Sequence, residues 1–252
     1  MSKIALDKSV ALVYNRVNDN KDNTIHTRMD KNGYRLTRSF TTTNNTRTYT
    51  MIESLFPCPI GNYDLDRAVT QKEMKYLKTL PLEENVGNEA STTDDILEHE
   101  DVSEIKKFCI EKLNEYCKET YNFDTDKVEI YMTASWTNKT EPGGHHHQHW
   151  HQNSIVSGVF YFDGNKDDDG IEFVSHQDWL GSHWDFNLTE NNWFNASTWW
   201  FETPPGKLYL FPSRLEHRVL EVEGKKDRWS LSFNTFMKGE FGEQHQRTRL
   251  VL

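Results

Sequence analysis

The stretch that decides the fold runs from residue 149 to residue 164 and reads HWHQNSIVSGVFYFDG. It opens on His149 and His151, continues into a β-rich run, SIVSGVFYF (154–162), and closes on the turn pair Asp163-Gly164. Residues i and i+2 of an extended strand face the same way, so an H-x-H pair offers two imidazoles to one ion. Just upstream, His145, His146 and His147 complete GGHHHQHWH, which lies inside the chain and is not an appended tag. His145, His147, His149 and His151 alternate. Taken alone, such a tract is equally a surface loop that picks up metal adventitiously.

Outward from this core the β-rich runs continue. VEIYMTASW (128–136) precedes it; GIEFV (170–174), STWWFET (197–203), KLYLF (207–211), HRVLEV (217–222) and RWSLSFNTF (228–236) follow. Turn residues such as Pro204-Pro205-Gly206 and Glu223-Gly224 separate them. Many short strands in series mean a barrel or jelly roll rather than βαβ units. The longest interruption, 175–196, carries Trp179, Trp184 and Trp193. With Trp199 and Trp200 these are candidates for a substrate mouth or lid, but the start of a predicted strand argues for several in the core. A third metal ligand must come from elsewhere, and His176, His183, His217 and His245 are the candidates. His217 is the best placed, at the start of a predicted strand just after Phe211-Pro212-Ser213.

Before residue 128 the pattern is helical. Thr70-Gln71-Lys72-Glu73 has the form of a capping box, with Val69 and Met74 placed as its staple. Met74 and Leu77 supply an apolar face, and Pro81 stops the helix. Residues 82–100 are acidic and read as a loop. A second helix starts near Asp101, where Val102, Ile105, Phe108, Cys109, Leu113, Tyr116 and Cys117 recur at spacings of three and four. Cys109 and Cys117 lie on that stripe and read as small core residues rather than reactive thiols. Residues 1–50, rich in Asn, Thr, Lys and Arg, are either a loose extension or a hairpin turning at Asn32-Gly33 or Asn44-Asn45. The expected organisation is an extension over 1–50, a helical support over 51–127 and a β core over 128–252.

Composition sets the outer bounds. The chain has 252 residues, enough for a sizeable core without disulfide staples. Lys plus Arg number 29 and Asp plus Glu 39, so the formal charge is 29 − 39 = −10. That argues against non-specific nucleic-acid binding, which needs a surplus of cations. Mean hydropathy is −0.82, yet 13% aromatic residues argue against disorder. No apolar run approaches the roughly 20 residues of a membrane span. The start, MSKIALDKSV, lacks a signal-peptide segment, and three cysteines without a CxxC give no disulfide framework. A reducing, cytoplasmic setting is expected.

The segment from His149 to Asn234 joins H-x-H, S-G-V-x-Y, a Pro-Gly turn into a strand ending Phe-Pro, then E-H-x-V and R-x-S-x-S-F-N. In this order it resembles the Fe(II)/2-oxoglutarate-dependent dioxygenases of the prolyl-hydroxylase-like group, and most a bacterial and phage family of oxygenases within it. The resemblance implies a mainly β, double-stranded β-helix (jelly roll) with supporting N-terminal α-helices. In that fold the first ligand pair ends the second core strand and the last histidine begins the seventh. Four predicted strands lie between His151 and His217, as that placement wants. His176-Gln177-Asp178 is a literal H-x-D, the superfamily's usual pair, but only two predicted strands separate it from His217, and it stays a minority option.

The resemblance further implies Fe(II) held by His149, His151 and His217, with 2-oxoglutarate as co-substrate and O2 as oxidant. A basic residue on the eighth strand of such enzymes takes the distal carboxylate, here Arg228, eleven residues after His217. Ser230 and Asn234 share its face, while Trp229, Leu231 and Phe233 form the other. Tyr161 corresponds to a tyrosine that often shares that carboxylate, although it also suits plain core packing. The activity implied is hydroxylation of an unactivated C–H, in a protein side chain or small molecule. The departure is His151, which stands where the superfamily usually supplies a carboxylate. A cupin-like, non-redox metal-binding protein or isomerase is the alternative.

Overall fold

The computed structural model describes residues 56–165, 169–175, 187 and 189–252, and the backbone of residues 13–16, 22–29 and 35–42. The chain forms two compact units, Met1–Leu55 and Phe56–Leu252. In the first, strands β1 (Val13–Arg16), β2 (Asp22–Met29) and β3 (Arg35–Thr42) make one antiparallel sheet in that order. β2 and β3 pair from Met29↔Arg35 outward, so the hairpin is the one that encloses Asn32-Gly33.

The second unit begins with β4 (Gly61–Asp64) and helix α1 (Gln71–Thr79). The Thr70 hydroxyl accepts from Glu73 N–H at 3.3 Å, and the Glu73 carboxylate accepts from Thr70 N–H at 2.7 Å. The expected capping box is therefore formed, and Val69 and Met74 both pack on the core. Residues 82–100 are not the expected loop. They form a hairpin of β5 (Leu82–Asn85) and β6 (Asn88–Ser91), then a 3-10 turn over Ile96–Glu98. Gly87, at φ +83°, makes the reversal, and the Ala90↔Asn138 pairing ties β6 to the main sheet. Helix α2 (Ser103–Thr120) follows, with Ile105, Cys109, Leu113, Tyr116 and Cys117 buried as its stripe requires.

Eight further strands build the β-helix: β7 (Val128–Thr140), β8 (His146–His149), β9 (Val156–Asp163), β10 (Gly170–Val174), β11 (Thr198–Glu202), β12 (Lys207–Pro212), β13 (His217–Val219) and β14 (Arg228–Phe241). They divide into two antiparallel sheets. The larger runs β4-β12-β9-β14-β7-β6-β5, with β15 (Leu250–Val251) on the far end of β14; the smaller runs β11-β10-β13-β8. From β7 to β14 the chain thus alternates between the two sheets at every step except the β10–β11 hairpin, which is the jelly-roll winding.

Period-two alternation sorts the larger sheet into two faces. Phe160, Phe162, Leu208, Leu210, Trp229, Leu231 and Phe233 join the α2 residues in the main core. Val159, Tyr161, Tyr209 and Phe211 point the other way, into a smaller cluster with Ile171 and Phe173 of the smaller sheet. Gly158 sits under the Phe233 ring, where a Cβ would come within 2.1 Å of it. Trp199 and Trp200 are not core, as was expected of some: β11 is the edge of the smaller sheet, and they are 36% and 43% exposed. Trp193 is 87% exposed and lies 5.8 Å from Trp199. Trp179 and Trp184 lie outside the described residues. Among the described residues no helix is long and apolar enough to cross a membrane.

Candidate metal centre

His149 ends β8 and His217 begins β13, and the two stand directly opposite in the ladder. His151 lies two residues beyond β8, where its backbone N–H donates to Ser213 O at 2.9 Å. The three ring centroids are 4.3 Å (His149–His217), 5.1 Å (His151–His217) and 5.3 Å (His149–His151) apart. One nitrogen from each ring lies within 4.8 Å of the others.

Each ring turns its Nδ1 away to a partner. His149 Nδ1 meets His147 O at 2.8 Å, and His217 Nδ1 meets Leu215 O at 3.0 Å. A carbonyl only accepts, so both rings carry their proton on Nδ1 and leave Nε2 bare. His151 Nδ1 lies 2.7 Å from both Asn234 Oδ1 and Ser157 Oγ. Burial holds all three imidazoles in the neutral form: His151 titrates down at about 4, and His149 and His217 also fall below their ordinary value, His217 far below. Three neutral nitrogen donors on one face suit a borderline divalent ion such as Fe(II).

A cavity opens from these histidines across the inner face of the larger sheet to Arg228, Ser230 and Tyr161. Arg228 is 3% exposed. Its guanidinium lies 4.8 Å over the Tyr161 ring, and Nη2 reaches Gly170 O only at 3.4 Å. Among the described residues, Arg228 Nε and the Tyr161 hydroxyl are buried without a hydrogen-bond partner, and no carboxylate pairs with Arg228. Burial pushes the Tyr161 phenol up to about 12, opposed by the guanidinium, so it remains a donor. An unpaired buried cation beside an orphaned hydroxyl costs several kcal/mol unless an anion fills the space between them. A carboxylate fits that requirement.

Asn234 departs from its expected place beside the co-substrate. Along β14 the polar residues Arg228, Ser230, Ser232 and Asn234 do share the inner face, but Arg228 and Asn234 stand roughly 20 Å apart at strand rise. Asn234 accepts from His151 and Ser157 instead. His176 and Asp178, the minority pair, and His183 lie outside the described residues. His245 is exposed beside Glu243, 3.6 Å away.

Three cavity residues escaped the sequence reading. His146 stacks on His149 at 4.3 Å and contacts Asn88 of the β5–β6 hairpin at 3.4 Å. Trp136 and Asn138 come from β7, opposite Ser232 and Ser230. The alternation Trp136-Thr-Asn138-Lys-Thr140 was the available signal for the last two. For His146 there was none, because a bulge sets it: Val219↔His146 and His217↔His149 span two residues on β13 and three on β8.

Residues 134–234, which run from β7 into β14, match the family model described as "Putative 2OG-Fe(II) oxygenase". The match upholds the resemblance carried by the motifs. That family uses Fe(II), 2-oxoglutarate and O2. No curated protein matches the chain in sequence. Among solved structures it is similar to a 2OG-Fe(II) oxygenase-family oxidoreductase from Burkholderia pseudomallei, at 10% identity over 64% of this chain and 74% of that one, TM-score 0.47. HygX from Streptomyces hygroscopicus, solved with nickel, 2-oxoglutarate and hygromycin B, shows 10% identity over 71% and 82%, TM-score 0.45. A prolyl-4-hydroxylase from Pseudomonas putida shows 14% identity over 58% and 68%, TM-score 0.38.

Proposed function

We propose that the protein is an Fe(II)/2-oxoglutarate-dependent dioxygenase that hydroxylates an unactivated C–H bond in a protein side chain or small molecule. The observation that carries this reading is one cavity lined at one end by three neutral histidines and at the other by a buried arginine that pairs with no carboxylate among the described residues. His149, His151 and His217 hold the ion through their metal-facing nitrogens. Arg228 takes the distal carboxylate of the co-substrate, with Tyr161 and Ser230 as further donors. When bound, Fe(II) would supply open coordination positions for the keto acid and for O2, which is the oxidant. The protein's own part is to orient the dicarboxylate along the polar face of β14. Phe211, Ile171 and Val159 keep water from the reacting end.

The test pairs the parent with Arg228→Met. Anaerobic Fe(II) and 2-oxoglutarate should give a visible charge-transfer band, and air should then release succinate. Arg228→Met removes a charge-assisted, desolvated contact worth about 2–5 kcal/mol. Co-substrate binding should weaken by roughly 30-fold to several-thousand-fold, with Fe(II) affinity little changed. Unchanged 2-oxoglutarate affinity would remove Arg228 from this role. A parent that binds Fe(II) but never responds to 2-oxoglutarate would favour the cupin-like reading, which draws on the absence of a carboxylate from the donor set.

A further inference from the structure

We propose that Asn234 is a positioning residue that fixes the tautomer of His151, and that the three-histidine centre is built around this contact. The inference rests on the metal half of the proposed function and is independent of the oxygenase half.

The three histidines are held in two different ways. His149 and His217 each rest Nδ1 on the carbonyl two residues upstream. No substitution of a side chain removes those acceptors. His151 alone is held by side chains. Asn234 Oδ1 and Ser157 Oγ both lie 2.7 Å from its Nδ1, and Ser157 Oγ lies 2.9 Å from Asn234 Oδ1. Asn234 and Ser157 are a direct cross-strand pair of β14 and β9, so their side chains sit side by side.

Proton counting decides the arrangement. An amide oxygen only accepts, so an Nδ1 at 2.7 Å from Asn234 Oδ1 carries the hydrogen. That leaves His151 Nε2 bare, as in its two neighbours. The Ser157 hydroxyl has one hydrogen, which goes to Asn234 Oδ1 or to Ser213 Oγ at 2.8 Å. Ser213 Oγ in turn lies 2.7 Å from Ser154 Oγ. Ser157 and Ser213 are fully buried, and the Ser213 carbonyl also accepts from His151 N–H. Ring and backbone of His151 are therefore tied to one cluster drawn from β9, β14 and the turn after β12.

This bears on the one position where the donor set departs from two histidines and a carboxylate. A carboxylate presents oxygen in any protonation-competent orientation and needs no tautomer. A histidine in its place binds only with the proton held on the far nitrogen, so it needs an acceptor behind it. Asn234 is that acceptor, which argues that His151 is a built ligand.

Selective 15N-histidine labelling and long-range 1H–15N correlation report the tautomer directly in the metal-free protein, with His151 assigned by its loss in His151→Asp. The expected result is an Nδ1–H tautomer for His151 in the parent and in Asn234→Asp, and a mixed or Nε2–H form in Asn234→Leu. Co(II) titration supplies the second readout. Asn234→Leu should weaken Co(II) by about 10- to 100-fold, and Asn234→Asp, which keeps an acceptor, should restore it. An Nε2–H tautomer in the parent would overturn the proposal, as would Co(II) affinity in Asn234→Leu within about twofold of the parent, the scatter of independent sites. If Asn234→Leu fails to fold, the tautomer in the parent and in Asn234→Asp still decides. A parent that binds no Co(II) sinks the metal reading itself, whereas parental binding with an indifferent Asn234→Leu sinks only this inference.

Discussion

The two sheets of the β-helix are backed very differently. The larger sheet is apolar on its outer face, where Leu208, Leu210, Leu231 and Phe233 meet Ile105, Cys109 and Leu113 of α2. Its inner face is mixed: β14 contributes Arg228, Ser230 and Ser232, while β9 and β12 contribute Val159, Tyr161, Tyr209 and Phe211. The smaller sheet buries its inner face, with Ile171, Phe173 and His217, and leaves its outer face to Trp200 and an Arg218–Glu172 ion pair. Arg228 thus sits on the thickly backed layer, and two of the three metal-facing histidines sit on the thinly backed one. An ion held by His149 and His217 would also staple β8 to β13, so the ligand would supply backing that the smaller sheet lacks.

The sharpest way to break this contrast is to hollow out the thick layer. Phe233→Ala removes a fully buried ring from the main core and should cost about 3–5 kcal/mol. Trp199→Ala, on the exposed edge of the smaller sheet, should cost a small fraction of that. Urea unfolding of both variants measures the difference. Comparable losses would mean that the smaller sheet is as well supported as the larger.

That difference in backing also decides what was legible in the sequence. A strand with an apolar side and a polar side alternates, and RWSLSFNTF carries both faces of β14 in its sequence. The capping box at Thr70 and Glu73 was legible because it is chemistry between near neighbours. The β5–β6 hairpin was not, since its strands are short and acidic and gain their place only by pairing with β7. His146 was not, since a bulge in β8 breaks the alternation that grouped His145 and His147 with His149. The role of Asn234 was hidden for a third reason. The residue type and the face were right, but a stripe roughly 20 Å long spans two sites, and sequence does not say which end meets His151.

Acid sharpens the comparison next. His151 titrates at about 4 in the folded protein against an ordinary 6.5. The folded ring stays neutral while the unfolded chain takes up a proton below pH 6.5. Its contribution is therefore fully present above pH 6.5 and is lost as pH falls towards 4, at about 1.4 kcal/mol per pH unit. Unfolding free energies from urea titrations at pH 6.5 and 5.5 should differ by about 1 kcal/mol more in the metal-free parent than in His151→Asn, since half of the unfolded rings are already protonated at pH 6.5. Hydrogen exchange should report the loss first in β8 and β13 rather than in β14. Equal pH dependence in parent and variant would mean that His151 is not withdrawn from titration.

The smallest expected effect is on the outer face of the smaller sheet. Arg218 Nε donates to Glu172 at 2.6 Å, across the β10–β13 ladder and next in sequence to His217. The guanidinium is partly exposed, so Arg218→Ala should cost about 1 kcal/mol or less in stability. Its side chain faces away from His217, because neighbours along a strand point to opposite faces. Co(II) affinity should then stay within about twofold of the parent, as for independent sites. A larger drop would mean that the outer ion pair sets the twist that brings His217 to His149. In that case the smaller sheet would hold its histidines by both faces, and the contrast with the larger sheet would lie in thickness alone.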